Sequence, residues 1–102
     1  MSNEFDTKKI HSGYDPKNFG YSATVPIFQS VAFDLENTER ADQIVRNELP
    51  GSFMYSRVSN PTVDIFEKRI NDLDGGVGAV AVASGMAAIT YAVLNVAEGG
   101  GR

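Results

Sequence analysis

The chain contains no cysteine. That excludes a disulfide framework and any cysteine-ligated zinc site. It has one histidine, His11, which leaves little scope for a histidine metal cluster or a Ser-His-Asp triad. Basic residues are scarce: nine Lys and Arg stand against thirteen Asp and Glu, a net charge of -4. This balance argues against a nucleic-acid surface. No apolar run approaches the roughly 20 residues that a membrane-spanning helix needs. The opening Met1-Ser2-Asn3-Glu4-Phe5-Asp6 is polar and acidic, unlike a secretory signal. The expectation is a soluble cytoplasmic protein with neither a nucleic-acid nor a membrane partner.

What is present suits globular structure. Of 102 residues, 42% are hydrophobic and 22% charged, enough for one small domain. The chain nevertheless divides into two unlike parts. Residues 1–59 hold eight of the ten aromatics and three of the four prolines. Asp15-Pro16, Asn18 to Gly20, Val25-Pro26 and Leu49-Pro50-Gly51 are turn or extended signals. Ile27 to Phe33 reads as an extended segment. One helix is predicted over 37–48, capped by Asn37 or Thr38, with Ala41, Ile44, Val45 and Leu49 on one face. Such an aromatic, irregular segment does not close its own core easily. Either its aromatics fold back locally, or they pack on another subunit; the second reading is preferred, because exposed contiguous apolar surface marks a partner.

Residues 60–102 are regular. Asn60-Pro61 is a helix start, with Asn at the N-cap and Pro at the first helical position. Val63, Phe66, Ile70 and Leu73 form one apolar stripe, and Asp74-Gly75-Gly76 ends the helix. Val77 to Ala83 is uncharged, with small or β-branched side chains, as a strand buried on both faces reads. Ser84-Gly85 follows, then a nearly uncharged helix from Met86 to Ala97 with Ile89, Ala92, Val93 and Val96 available for burial, ended by Gly99 to Gly101. This is one βα unit of an α/β fold. A doubly buried strand needs parallel neighbours, each reached by a crossover. Only one such strand is offered, so the chain is expected to be the front end of a larger protein, incomplete as a domain.

Two places could hold a phosphate. At Ser84-Gly85-Met86, a glycine between strand and helix permits close backbone approach, and the first helical N–H groups face the positive end of the dipole. Plain helix capping would read the same. Neither the dinucleotide nor the Walker fingerprint is met. At Tyr55-Ser56-Arg57, an arginine fork and a phenol hydroxyl could both donate to phosphate oxygens. The bland alternative pairs Arg57 with an acidic residue such as Asp64 or Glu67. His11 and the lysines Lys8, Lys9, Lys17 and Lys68 lie in polar surroundings and receive no catalytic role.

Tyr55-Ser56-Arg57-Val58-Ser59-Asn60-Pro61-Thr62 resembles the Tyr-Ser-Arg-x-x-Asn-Pro-Thr signature of the pyridoxal-phosphate enzymes of cysteine and methionine metabolism. The spacing to Leu73-Asp74-Gly75-Gly76 and Ala83-Ser84-Gly85-Met86-Ala87-Ala88-Ile89 fits that family too. So do Thr7 to Pro16 and Val25-Pro26-Ile27-Phe28-Gln29. The stretch from Phe33 to Tyr55 is most similar to the O-acetylhomoserine sulfhydrylase branch. Met86 departs from it: many sulfhydrylases have Gln there, whereas the synthases and lyases often have Met.

The resemblance implies the large domain of an aspartate-aminotransferase-like (fold type I) enzyme, beginning at residue 60. It implies an N-terminal arm over 1–59 making contacts between subunits, and a homotetramer of two catalytic dimers. The residues matching Tyr55 and Arg57 bind the cofactor phosphate of the neighbouring subunit; those matching Gly85 and Met86 bind it within their own. The implied reaction is γ-replacement, in which sulfide displaces acetate from O-acetylhomoserine to give homocysteine. The lysine that holds the cofactor covalently lies beyond residue 102 in this family, as do the aspartate at the pyridine nitrogen and the stacking tyrosine. No residue of this chain is assigned as catalytic, and the chain alone is expected to be inactive. The competing expectation is a short protein that only binds a phosphorylated ligand or a partner subunit.

Overall fold

The computed structural model describes residues 3–97, 99 and 100. In chain order they form α1 (Asn3–His11), a 3-10 turn (Pro16–Phe19), α2 (Thr38–Val45), α3 (Pro61–Asp74) and α4 (Gly85–Ala97).

The capping residues set most of these boundaries. Asn60 caps α3 with Pro61 at its first position, and Gly75 ends it at φ 67°, donating its N–H to Asn71 and Asp72 carbonyls. Asn37 caps α2, accepting the Arg40 N–H at 2.8 Å. That helix stops at Val45, short of the expected 48. Asn47 takes φ 58°, its N–H donates to the Ile44 carbonyl at 3.0 Å, and the Glu48 N–H reaches the Gln43 carbonyl at 2.9 Å. This paired closure ends the helix before Pro50 is reached. Gly99 and Gly100 follow α4 with φ 83° and 82°; Gly101 and Arg102 lie outside the described residues.

Helix α1 has no apolar stripe, and hydrophobic periodicity does not disclose it. Its signal is charge spacing. Lys8 pairs with Glu4 at 3.6 Å and Lys9 with Asp6 at 2.6 Å, acidic residues leading and basic ones trailing. It docks on α3, the one helix pair in contact among the described residues. Gly13 makes the approach possible: at φ 76°, an added Cβ would lie 2.8 Å from Lys68 Cβ and 3.1 Å from the Ile65 carbonyl oxygen. Arg69 Nε donates to the Ser12 carbonyl at 2.8 Å.

Asp72 completes this contact. It accepts the Ser12 hydroxyl and faces Lys8 Nζ at 3.4 Å. The Ser12 hydrogen bond holds its carboxyl below the usual carboxylate range; desolvation opposes this and the Lys8 charge reinforces it. A depressed folded pKa stabilises the contact above the unfolded value of about 3.9 and loses that contribution as pH falls through the folded one. Amide protection in α1 should therefore decline only below about pH 4. Hydrogen exchange at matched pH, on the whole enzyme that carries this segment, should show that step in the parent and not in Asp72→Asn. An equal acid step in both would exclude Asp72 as its source.

The aromatics of the first part partly fold back on one another. Tyr14 and Phe19 have ring centroids 5.4 Å apart, Phe19 and Phe28 5.8 Å, and Phe33 and Phe53 5.9 Å. They line an open groove of about 850 Å³. The run Ile27 to Phe33 is not helical and bends at Val31. It meets residues 54–56 at an isolated antiparallel bridge between Ala32 and Tyr55. Phe33 N–H donates to the Met54 carbonyl at 3.1 Å, and Ser56 N–H to the Val31 carbonyl at 2.8 Å.

One expectation fails. Residues 77–83 form no strand, and among the described residues that isolated bridge is the only β pairing. Val77 is 109% and Val80 82% exposed, so the doubly buried βα unit is not realised here. Strands satisfy their backbone groups on neighbours, and this stretch has none; its Ala81 N–H turns to the Glu67 carboxylate at 3.1 Å. The apolar stripe of α3 lies toward solvent. Val63, Phe66 and Ile70 are exposed, while Ile65, outside that stripe, is the one buried large apolar residue among those described. Ile89, Val93 and Val96 of α4 are exposed as well.

Candidate functional site

The signature around Tyr55 separates into residues that brace and residues that are presented. Bracing begins at the N-terminus of α3. Thr62 is placed by the Asn60 cap, whose Oδ1 accepts the Thr62 N–H at 2.9 Å. The Thr62 hydroxyl donates to the Pro26 carbonyl at 2.8 Å and accepts the Phe28 N–H at 2.9 Å. One side chain thus ties the helix start to the extended segment through both polar groups of a neighbouring backbone. Asn60 Nδ2 donates to the Phe28 carbonyl at 2.9 Å and to Ser56 Oγ at 3.0 Å. Ser56 Oγ donates onward to the Ser30 carbonyl.

Between these braces the chain turns. The Tyr55 carbonyl accepts the N–H of Val58 at 2.9 Å and of Ser59 at 3.0 Å. Tyr55 and Arg57 stand on this turn, exposed to solvent. The Arg57 guanidinium lies over the Tyr55 ring, 5.3 Å from its centroid. The bland pairing does not occur. Asp64 is engaged by Lys68 at 2.6 Å, and Glu67 accepts the Ala81 N–H. Among the described residues Arg57 forms no ion pair. An exposed guanidinium over the ring of an exposed tyrosine offers the donor types a phosphate needs.

The second candidate lies at the start of α4. Ser84 is its N-cap: its hydroxyl oxygen accepts the Ala87 N–H at 3.1 Å and its carbonyl the Ala88 N–H at 3.1 Å. Gly85 and Met86 open the helix, so helix geometry leaves their N–H groups without intrahelical partners. Those two groups, at the positive end of the dipole, are suited to an anion. No helix–helix contact joins α4 to α3 among the described residues. Among the described residues no hydrogen bond or ion pair joins Tyr55 or Arg57 to Gly85 or Met86.

Sequence reasoning found the presented residues and missed the braces. Asn60 is legible as a cap, but its two donor bonds depend on where Phe28 and Ser56 arrive. Thr62 carries no local signal beyond following Asn-Pro. His11, at the exposed end of α1, takes no part in either place.

Residues 6–102 match the family of Cys/Met metabolism PLP-dependent enzymes. The chain is 45% identical over 96 residues to the O-acetyl-L-homoserine sulfhydrylase of Corynebacterium glutamicum, covering 94% of this chain and 22% of that protein. It is 39% identical over 102 residues to the homocysteine/cysteine synthase of Saccharomyces cerevisiae, covering 98% and 23%. It is 42% identical over 86 residues to the L-methionine gamma-lyase of Pseudomonas putida, covering 84% and 21%. Among solved structures it superposes on an O-acetylhomoserine (thiol)-lyase of Campylobacter jejuni bearing N'-pyridoxyl-lysine-5'-monophosphate. The TM-score is 0.80 at 37% identity, over 89% of this chain and 22% of that one. The chain thus spans less than a quarter of the length of these relatives. The fold relation is to the aminotransferase-like, fold type I enzymes, without their sheet core. By sequence, signature and superposition, this chain belongs to the pyridoxal-phosphate-dependent enzymes of cysteine and methionine metabolism.

Proposed function

We propose that the chain is the N-terminal part of a cytoplasmic sulfhydrylase that converts O-acetylhomoserine and sulfide to homocysteine and acetate. The observation that carries the site is the exposed Tyr55–Arg57 pair on a braced turn, with no carboxylate among the described residues paired to the guanidinium. In this reading residues 1–59 are an arm toward a neighbouring subunit, and residues 60–102 begin the cofactor-binding domain. The whole enzyme is a homotetramer of two catalytic dimers.

Arg57 and Tyr55 grip the phosphate of the neighbouring subunit's pyridoxal phosphate. The fork supplies charge and two parallel N–H donors; the phenol supplies a third donor. The Gly85 and Met86 N–H groups hold the phosphate of their own subunit at the start of α4. When bound, pyridoxal phosphate supplies the electron sink for γ-replacement. The residues of this chain anchor and orient it, and none is assigned to move a proton. Residues 1–102 alone are accordingly inactive.

A synthase or γ-lyase is the second reading. Met86 favours it, as does the similarity to the Pseudomonas putida γ-lyase. The test is acceptor choice by the whole enzyme that carries this segment, with O-acetylhomoserine as donor. A higher kcat/KM for sulfide than for cysteine is expected. Preference for cysteine would assign a synthase, and breakdown of the donor without any acceptor would assign a lyase.

A further inference from the structure

Asn60 uses every branch of its carboxamide. It is 6% exposed. Its Oδ1 serves the helix cap, accepting the Thr62 N–H. Its Nδ2 spends one hydrogen on the Phe28 carbonyl and the other on Ser56 Oγ. Capping explains only the first of these, and aspartate would cap equally well. The two donated bonds point instead toward the turn. Ser56 is the residue between Tyr55 and Arg57, and its Oγ, fixed by Asn60, donates to the Ser30 carbonyl. Its N–H is already held by Val31 at 2.8 Å.

The N–H and the hydroxyl of Ser56 are therefore both committed to the extended segment, and the residues on either side of it are exposed. On the turn, Tyr55 is 37% exposed and the Arg57 guanidinium lies over its ring. We infer that Asn60 is a positioning residue, acting through Ser56 to fix the Tyr55–Arg57 grip for a phosphate. This rests on the phosphate-binding reading of that pair.

The test uses the whole enzyme that carries this segment, freed of cofactor. Dissociation constants are measured for pyridoxal phosphate and for pyridoxal, which lacks the phosphate. Asn60→Asp keeps the cap and loses both donors. It is expected to weaken pyridoxal phosphate about 10-fold, the scale of one or two lost hydrogen bonds, and to leave pyridoxal unchanged. On an Arg57→Ala background the same substitution should change pyridoxal phosphate binding less than about 2-fold, since residues acting through one another are not additive.

Equal weakening of both ligands, or a full loss on the Arg57→Ala background, would reduce Asn60 to a structural residue and overturn the inference. If Arg57→Ala itself affects both ligands equally, the phosphate reading fails and takes this inference with it. Should the buried carboxylate of Asn60→Asp prevent folding, Ser56→Ala breaks the same chain without adding charge. It is held to the same outcomes.

Discussion

Replacing Arg57 by alanine is expected to weaken the whole enzyme's hold on pyridoxal phosphate by about 100-fold or more. Charge-assisted hydrogen bonds contribute roughly 1.5–3 kcal/mol each, and a bidentate fork makes two. Lysine at this position should recover part of the loss, because it restores the charge but not the planar fork. Tyr55→Phe removes one hydroxyl donor and should cost about 10-fold or less. None of these changes should disturb folding. Arg57 is exposed and lies over the Tyr55 ring, an interaction of about 0.5–1 kcal/mol at such a site. Equilibrium dialysis against the cofactor, with thermal unfolding as control, reads both quantities. An unchanged dissociation constant in a folded Arg57→Ala enzyme would remove this pair from the site.

Residues 1–102 prepared alone should self-associate and unfold without a cooperative transition. The accessible surface is 8183 Å², whereas a folded monomer of 11.0 kDa is expected to expose about 5,600 Å². The Cα radius of gyration is 16.4 Å, against about 13 Å for a domain of this length. The difference in area is of the size that obligate protein interfaces cover. Much of it is apolar: Val77, Val80, Ile89, Val93 and Val96 are all exposed along 77–97. With Ile65 as the one buried large apolar side chain among the described residues, little hydrophobic free energy opposes the chain entropy. Sedimentation velocity over a range of concentrations should show oligomers, and calorimetry a broad, weak transition. A monomer with one sharp transition would refute this account of the exposed faces.

Local chemistry alone determined several features. Asn60-Pro61 and Gly75 bound α3 because caps and φ preferences act within a few residues. Ser84 starts α4 for the same reason. The signature from Tyr55 to Thr62 identified the family, since its residue types and spacing are carried in the chain itself. Tertiary structure decided the rest. Charge pairing and the Ser12–Asp72–Arg69 contacts place α1 on α3, where no apolar stripe announces it. The bracing roles of Ser56, Asn60 and Thr62 exist only because residues 26–31 arrive beside them, about thirty positions away in sequence.

The run from Val77 to Ala83 marks the limit most clearly. Its composition is that of a buried strand, and its side chains carry that preference wherever they are. Becoming a strand needs backbone partners on both edges and apolar layers on both faces. Those are properties of neighbouring segments, and no residue of the run can supply them.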